Sequence, residues 1–320
     1  MTAPAIRTRP YPACCLCGAT GMELYAGLED RLFSAPGKWN LKRCPNSGCG
    51  LVWLDPMPVE EDLPLAYQNY YTHDDSTVIS HGVLGWLYRA LLWATGLAHQ
   101  RAALRSMYLA DTSPGRLLEV GCGAGEQLAH LRKRGWEVEG QEIDAKSAER
   151  ARSLYGLRVH LGTLPSLVLP DAAYDAVTMN HVIEHVLDPV LLLKECHRIL
   201  KPGGILVAIT PNIESYGHHH FGSCWRDLDP PRHLHIFSPR TLRKTVEQAG
   251  FSTCECWTTA ARAVGIAMAS LNIQSSGRHE MTAYVSTGRK VQGVLFQLRV
   301  HIINLFRPDS GEECVLRAWR

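Results

Sequence analysis

The stretch that most constrains this chain is Leu117-Leu118-Glu119-Val120-Gly121-Cys122-Gly123-Ala124-Gly125-Glu126. Apolar residues lead into an acid and then into three glycines at alternate positions. The run reads as a buried parallel strand, and the glycines as the turn that leaves it. Without a Cβ, glycine lets the backbone bend tightly and come close to a ligand. Residues 127–134 then predict a helix whose N-terminal amides face that ligand. Strand, glycine turn and helix together make a nucleotide-type pocket. The spacing is G-x-G-x-G. It differs from the G-x-G-x-x-G of dinucleotide folds and speaks against a nicotinamide dehydrogenase.

Further strands follow. Val138-Glu139-Gly140-Gln141-Glu142-Ile143-Asp144 reads as the end of a second strand. An acid there can accept both ribose hydroxyls of a nucleoside, and about twenty residues from the glycine turn is the usual distance for it. Glu142 and Asp144 are both placed for this, and Asp144 better suits the N-cap of a helix starting near Ala145. Residues 158–161 read as a third strand, followed by Gly162-Thr163-Leu164. Residues 174–180 read as a fourth, 205–210 as a fifth after a Lys201-Pro202-Gly203-Gly204 turn, 251–257 as a sixth and 312–319 as a seventh. A helix is predicted over 191–200. Strands alternating with helices over 116–210 predict a parallel sheet covered on both faces, with ligands at the strands' carboxyl ends. Glu119–Gly125, Glu142, Thr163, Asn180–His185 and Thr210–Asn212 all fall at those ends.

The N-terminal region is built on cysteines. Cys14 and Cys17 form a C-x2-C pair, and Cys44 and Cys49 a C-x4-C pair, each followed by glycine. Two such knuckles can hold one tetrahedral zinc through four thiolates, a structural arrangement with no open position for water. Cys15 is an alternative ligand in the first pair. Residues 39–43 and 51–54 could be strands between and after the knuckles. The chain has eleven cysteines, and its first twelve residues lack the apolar core of a signal peptide. This predicts metal ligands and reduced thiols in a cytoplasmic protein. A net charge of +2 offers no strong field for nucleic acid. No run of about 18 apolar residues predicts a spanning helix.

The segment from Glu119 to Gly125 resembles motif I of class I S-adenosylmethionine-dependent methyltransferases. His181-Val182-Ile183-Glu184-His185-Val186-Leu187-Asp188-Pro189 resembles that family's post-strand motif V-x-E-H-x-x-D-P. Lys201-Pro202-Gly203-Gly204 before an apolar strand, and Thr210-Pro211-Asn212 after it, are similar to the family's pattern. The paired cysteines resemble the zinc ribbon that precedes the catalytic domain in some bacterial methyltransferases, although the second spacing is wider than usual. Pro231-Arg232-His233-Leu234-His235-Ile236-Phe237-Ser238, before a helix ending in Ala249-Gly250-Phe251, resembles ubiquinone-type and sugar methyltransferases.

The resemblance implies an α/β fold: a Rossmann-like seven-stranded methyltransferase sheet in the order 3-2-1-4-5-7-6, its last strand antiparallel, with a small N-terminal zinc-ribbon module. The implied division is residues 1–58 for the ribbon, 59–110 for a linker and helices, and 111–320 for the methyltransferase domain, with a helical insertion at about 259–310. S-adenosylmethionine would touch Glu119, Gly121, Cys122, Gly123, Gly125, Glu142, Ile143, Thr163, Leu164, Asn180 and His181. By the family's G-x-[DE] pattern Glu142 is the ribose acid. Cys14, Cys17, Cys44 and Cys49 would hold structural zinc.

His185, His233 and His235, with Glu184, are the candidate catalytic residues, since a hydroxyl acceptor needs a base and a carbon acceptor an enolate. His181-x-x-Glu184-His185 also matches an inverted zinc-protease motif, a reading set aside because it sits inside a methyltransferase pattern. Relatives that use E-x-x-E-H for a divalent cation keep a second metal at His181, Glu184, His185 and His233 or His235 open. The implied reaction is O- or C-methylation of a sugar or related small molecule or glycan; a degenerate scaffold protein is the alternative.

Tyr67, Tyr70 and Tyr71 lie near the active-site mouth in relatives with this layout. His218-His219-His220 reads as a solvated loop. Residues 83–97 predict a helix whose Leu84, Leu87 and Leu91 stripe, with Trp86 and Trp93, packs on the catalytic domain. Residues 291–306 predict a helix packing through Val291, Val294, Leu295, Leu298, Ile302 and Leu305. Peripheral contact with a membrane stays open for both helices, and a homodimer contact or a lipid-linked substrate for the second.

Overall fold

A computed structural model describes residues 5–68, 82–279 and 286–320. Tyr70 and Tyr71 lie outside the described residues, while Tyr67 ends a 3-10 helix, Glu60–Tyr67. In chain order the strands are β1 (Thr8–Arg9), β2 (Met22–Leu28), β3 (Trp39–Arg43), β4 (Val52–Leu54), β5 (Met57–Pro58), β6 (Arg116–Val120) and β7 (Glu137–Glu142). They continue as β8 (Arg158–Leu161), β9 (Tyr174–Asn180), β10 (Leu200–Pro211), β11 (His235–Ile236), β12 (Thr253–Thr259) and β13 (Glu313–Trp319). The helices are α1 (Gly82–Ala94), α2 (Leu97–Arg105), α3 (Glu126–Arg132), α4 (Ala145–Tyr155) and α5 (Pro189–Ile199). After them come α6 (Tyr216–Phe221), α7 (Pro239–Gln248), α8 (Ala263–Ser276) and α9 (Thr287–Phe306). These elements gather into two compact units. One comprises Met1–Ala98, Pro211–Thr241 and Thr258–Cys314; the other comprises His99–Thr210, Leu242–Trp257 and Val315–Arg320.

The second unit is built on the predicted seven-stranded sheet, in the order β8-β7-β6-β9-β10-β13-β12. Strands β8, β7, β6, β9 and β10 pair in parallel. β13 runs antiparallel to β10: Gly203 and Gly204 exchange bonds with Arg320 at one end, and the Asn212 amide donates to Glu312 at the other. The central strand β6 is buried from Leu117 to Val120, as its apolar run requires. Asp144 caps α4 by accepting the Ser147 amide at 2.8 Å, and Gly156 closes the helix in the left-handed region. Asp188 caps α5 through Leu191, with Pro189 opening the helix.

Lys201-Pro202-Gly203-Gly204 departs from expectation. It lies inside β10 as an irregularity where the register with β9 shifts between Leu200 and Ile205. Lys201 Nζ bonds both oxygens of Asp175, at 2.8 and 2.9 Å, so the irregularity is pinned to the start of the neighbouring strand.

The first unit carries a four-stranded sheet, β11-β4-β3-β2. β11 is the unexpected member. His235 pairs with Trp53 and Ile236 with Val52, so a segment nearly two hundred residues downstream completes the sheet of the cysteine module. The 218–220 histidines also differ from the solvated loop expected. They lie on α6, where His218 is buried and His219 and His220 are exposed.

Helix α9 reverses its predicted packing. Its buried residues are Gly293, Phe296, Gln297 and Val300, whereas Val291, Leu295, Ile302 and Leu305 are exposed. The reason is close approach to α8: a Cβ on Gly293 would lie 3.0 Å from Val264 Cγ1 and 3.2 Å from the Val264 carbonyl oxygen. Gly293 makes that close approach, and Phe296, Gln297 and Val300, not the aliphatic stripe, fill the rest of the buried face. On α1, Trp86, Leu87 and Trp93 are likewise exposed.

Candidate functional site

In the second unit the structure brings together the glycine turn and the acid that ends β7. Gly121, Gly123 and Gly125 have φ of 66°, 53° and 84°, the left-handed region that favours glycine. A Cβ on Gly121 would meet Val182 Cγ2 at 2.6 Å, and one on Gly125 would meet Leu157 Cδ1 at 2.5 Å and Ala151 Cβ at 2.9 Å. The turn therefore sits tight between the segment after β9 and helix α4. Glu142 Oε2 accepts the Gly123 amide at 2.8 Å, and Oε1 accepts the amides of Ile143 and Asp144 at 2.8 and 2.9 Å. Beside it the side chain of Ile143 is 64% exposed, an apolar surface at the sheet's carboxyl edge.

Beneath the turn Glu119 is buried, and its Oε2 has no hydrogen-bond partner among the described residues. Burial, reinforced by the nearby Glu142 charge, pushes its carboxyl up to about 8. A buried polar atom without a partner marks a place where a ligand or water would bond.

Gln141, absent from the predicted set, holds the edge together. Its Oε1 accepts the Gly121 amide at 3.1 Å while its Nε2 donates to the Gly162 carbonyl. One side chain thus ties the loop after β6 to the loop after β8. The available signal was a strand end carrying three buried polar residues, Glu139, Gln141 and Glu142, where apolar ones are the rule. Past Gly162, Thr163 is exposed and Leu164 buried at the start of a 3-10 helix, Leu164–Ser166.

After β9, Asn180 is half-buried and His181 holds φ of 56°, a conformation costly for a residue with a Cβ. Its amide donates to the Ile209 carbonyl at 2.9 Å and its Nδ1 lies 3.0 Å from Glu184 Oε1. Glu184 is fully buried, and its Oε2 accepts the Thr210 hydroxyl at 2.9 Å. Both Glu184 oxygens therefore fix neighbouring loops at the ends of β9 and β10. His185, one residue on, is half-buried.

The first unit holds the four paired cysteines and the candidate histidines His233 and His235. Cys14, Cys17, Cys44 and Cys49 present four sulfurs within 4.8 Å of one another, with Cys14–Cys49 at 3.7 Å and Cys17–Cys44 at 3.4 Å. A tetrahedron of 2.3 Å metal–sulfur bonds has edges of about 3.8 Å, so the set fits a tetrahedral ion. Gly18 and Gly50 have positive φ, and the amides of Leu16, Ala19 and Leu51 hydrogen-bond Cys14, Cys17 and Cys49 in turn. Cys15 stands outside the cluster.

Arg232 is fully buried. It donates to Asp30 through two nitrogens at 2.8 Å, to Asp229, and to the Ala66 carbonyl at 3.0 Å. It is a tie between loops. His233 Nδ1 lies 2.7 Å from the Asp227 carbonyl, which can only accept, so Nδ1 carries the proton and Nε2 is the basic nitrogen of the neutral ring. His235 is fully buried in β11. Burial pushes the His218 imidazole down to about 4; it bonds the Ile213 carbonyl and the Tyr25 hydroxyl. Glu312 is fully buried and raised by burial to about 8, accepting the Gly217 amide at 2.8 Å.

Residues 93–255, just over half of the chain, match the family described as "Methyltransferase domain". A protein of Mycolicibacterium smegmatis named as a probable S-adenosylmethionine-dependent methyltransferase is 34% identical over 149 residues, covering 45% of this chain and 54% of that protein. A ubiquinone biosynthesis O-methyltransferase of Maricaulis maris is 31% identical over 149 residues, 43% of this chain and 59% of that protein. The chain thus spans about half the length of these curated relatives. Among solved structures, phosphoethanolamine N-methyltransferase 2 of Haemonchus contortus, in complex with S-adenosyl-L-methionine, shares the fold at a TM-score of 0.50 and 14% identity. That likeness covers 89% of this chain and 70% of that one. Strand order, glycine turn and matched family agree: the chain belongs to the methyltransferase-domain family.

Proposed function

We propose that this protein is an S-adenosylmethionine-dependent methyltransferase acting on a small-molecule acceptor, by O- or C-methylation of a sugar or related metabolite. The observation that carries the reading is the pairing of Glu142 with the Gly123 amide over a buried Glu119 oxygen that has no partner among the described residues. When bound, the cofactor supplies a methyl group whose leaving group is a neutral thioether. Everything else falls to the chain.

The main chain of Gly121, Cys122, Gly123 and Gly125 lets the nucleoside approach closely. Glu142 Oε2, with one amide donor, keeps capacity for a ribose hydroxyl; Oε1 has two amides and must release one to take the second. Ile143, Thr163 and Leu164 line the base side, and Asn180 and His181 the end toward the methyl. Glu184 positions His181 and the Thr210 loop. His185 is the proton acceptor at this edge for a hydroxyl acceptor, with His233 as the second candidate through Nε2. His235, locked in β11, is the least suited of the three. Proximity and orientation supply most of the acceleration.

Cys14, Cys17, Cys44 and Cys49 hold a structural Zn2+. No cysteine is in a disulfide among the described residues, which suits a reducing, cytoplasmic setting. The direct test is a screen of nucleotide sugars, glycans and phenols for release of S-adenosylhomocysteine. Turnover that needs His185 supports the reading, and absence of turnover with every acceptor class speaks for a scaffold instead.

A further inference from the structure

The first unit exposes apolar side chains that nothing in the methyl-transfer reading uses. On α9 the residues Val291, Leu295, Leu298, Ile302 and Leu305 recur at alternating intervals of four and three, with Phe306 following. At about 100° per residue they stay within roughly 60° of one line along the helix. Leu295, Ile302, Leu305 and Phe306 are 60%, 54%, 68% and 82% exposed. The buried residues Gly293, Phe296, Gln297 and Val300 lie on the opposite side. Arg299 and Lys290 flank the apolar stripe, one on each side, by the same geometry. Arg299 rests over the Tyr216 ring at 5.3 Å. Helix α1 adds Trp86 and Trp93, 62% and 81% exposed, with the exposed Arg89 nearby. The two helices meet on their buried sides, where the Tyr88 hydroxyl donates to Gln297 Oε1 at 3.2 Å. Both turn these exposed apolar residues away from that contact.

Charge selects the occupant. Neither helix contains an aspartate or glutamate; Arg89, Arg289, Lys290 and Arg299 lie on them, and Arg307 follows α9. A second copy seated on this face would bring like charges together, which disfavours association. An anionic lipid surface complements them, and tryptophan beside arginine is the side-chain chemistry of a membrane interface. No helix among the described residues is long and apolar enough to cross a membrane. We infer that α1 and α9 form a docking face that lies in the headgroup layer of an anionic phospholipid bilayer.

The test uses the full chain and vesicles of phosphatidylcholine alone or with about one third phosphatidylglycerol. Co-sedimentation with the anionic vesicles, weakened by salt and accompanied by a blue shift of tryptophan emission, is expected. Trp93→Glu combined with Leu305→Glu, at two exposed sites, should lower partitioning about tenfold or more and leave the circular dichroism melt unchanged. Three results overturn the inference: no co-sedimentation with anionic vesicles, equal binding to neutral ones, or a double variant that partitions like the parent chain. A light-scattering mass of two copies that Leu305→Glu reduces to one, without vesicle binding, would assign the face to self-association. None of these readouts depends on methyl transfer.

Discussion

Gly125→Ala is the sharpest probe of how the glycine turn is packed, because Gly156→Ala provides its control. Both glycines hold left-handed backbone, at φ of 84° and 59°. Either alanine pays about 1–2 kcal/mol for that conformation. At Gly156 a Cβ meets nothing within 4 Å, so the backbone cost stands alone. At Gly125 the Cβ would stand 2.5 Å from Leu157 Cδ1, 2.9 Å from Ala151 Cβ and 3.4 Å from Ala151 Cα. Leu157 can shift its methyl, but Ala151 is anchored in α4. Overpacking of this kind adds about 1–3 kcal/mol. Gly125→Ala should therefore cost about 2–5 kcal/mol and Gly156→Ala about 1–2. Urea unfolding followed by circular dichroism, with m-values compared, measures both. Relief of the clash would push the turn off α4, so Gly125→Ala should also weaken cofactor binding while Gly156→Ala leaves it intact. Equal stability losses in the two variants would refute the packing.

Other outcomes follow from the same structure. Burial raises Glu119 and Glu312 from about 4.5 to about 8, so the stability they allow is whole below about pH 4.5 and lost as pH rises through 8. Glu119→Gln or Glu312→Gln should flatten that decline in melts run from pH 5 to about 9; an unchanged slope counts against both protonated carboxyls. One zinc per chain should be released to a colorimetric chelator on thiol modification. Cys14→Ser or Cys49→Ser should lose it and Cys15→Ser keep it, whereas loss with Cys15→Ser would reassign the ligand set. Arg232→Met strands Asp30 and Asp229 without their cation and should cost about 3–5 kcal/mol; a loss below about 1 kcal/mol in chemical denaturation would contradict the buried triad.

The second unit was legible because its signals are local. A buried parallel strand is a short apolar run, so β9 is legible at its observed bounds, and Asp144 and Asp188 mark helix starts by side-chain chemistry. What escaped was set by distant partners. β11 is two residues long and exists only because β4 offers its edge. Helix α8 mixes small residues on every side and shows no stripe. On α9 the longer apolar stripe points to the wrong face: Phe296 and Val300 share the packed face with Gly293 and Gln297, two residues that hydrophobic periodicity does not count. Gln141 escaped because a polar residue in a strand reads as surface until the two loops it joins are seen.

The most direct measurement is calorimetric titration of S-adenosylmethionine into the full chain and into Gly123→Val. Saturable binding at one site, abolished in a variant that still melts cooperatively, is the expected result. Heat no greater than dilution in the parent chain, or undiminished binding in Gly123→Val, would contradict a cofactor site between the glycine turn and Glu142.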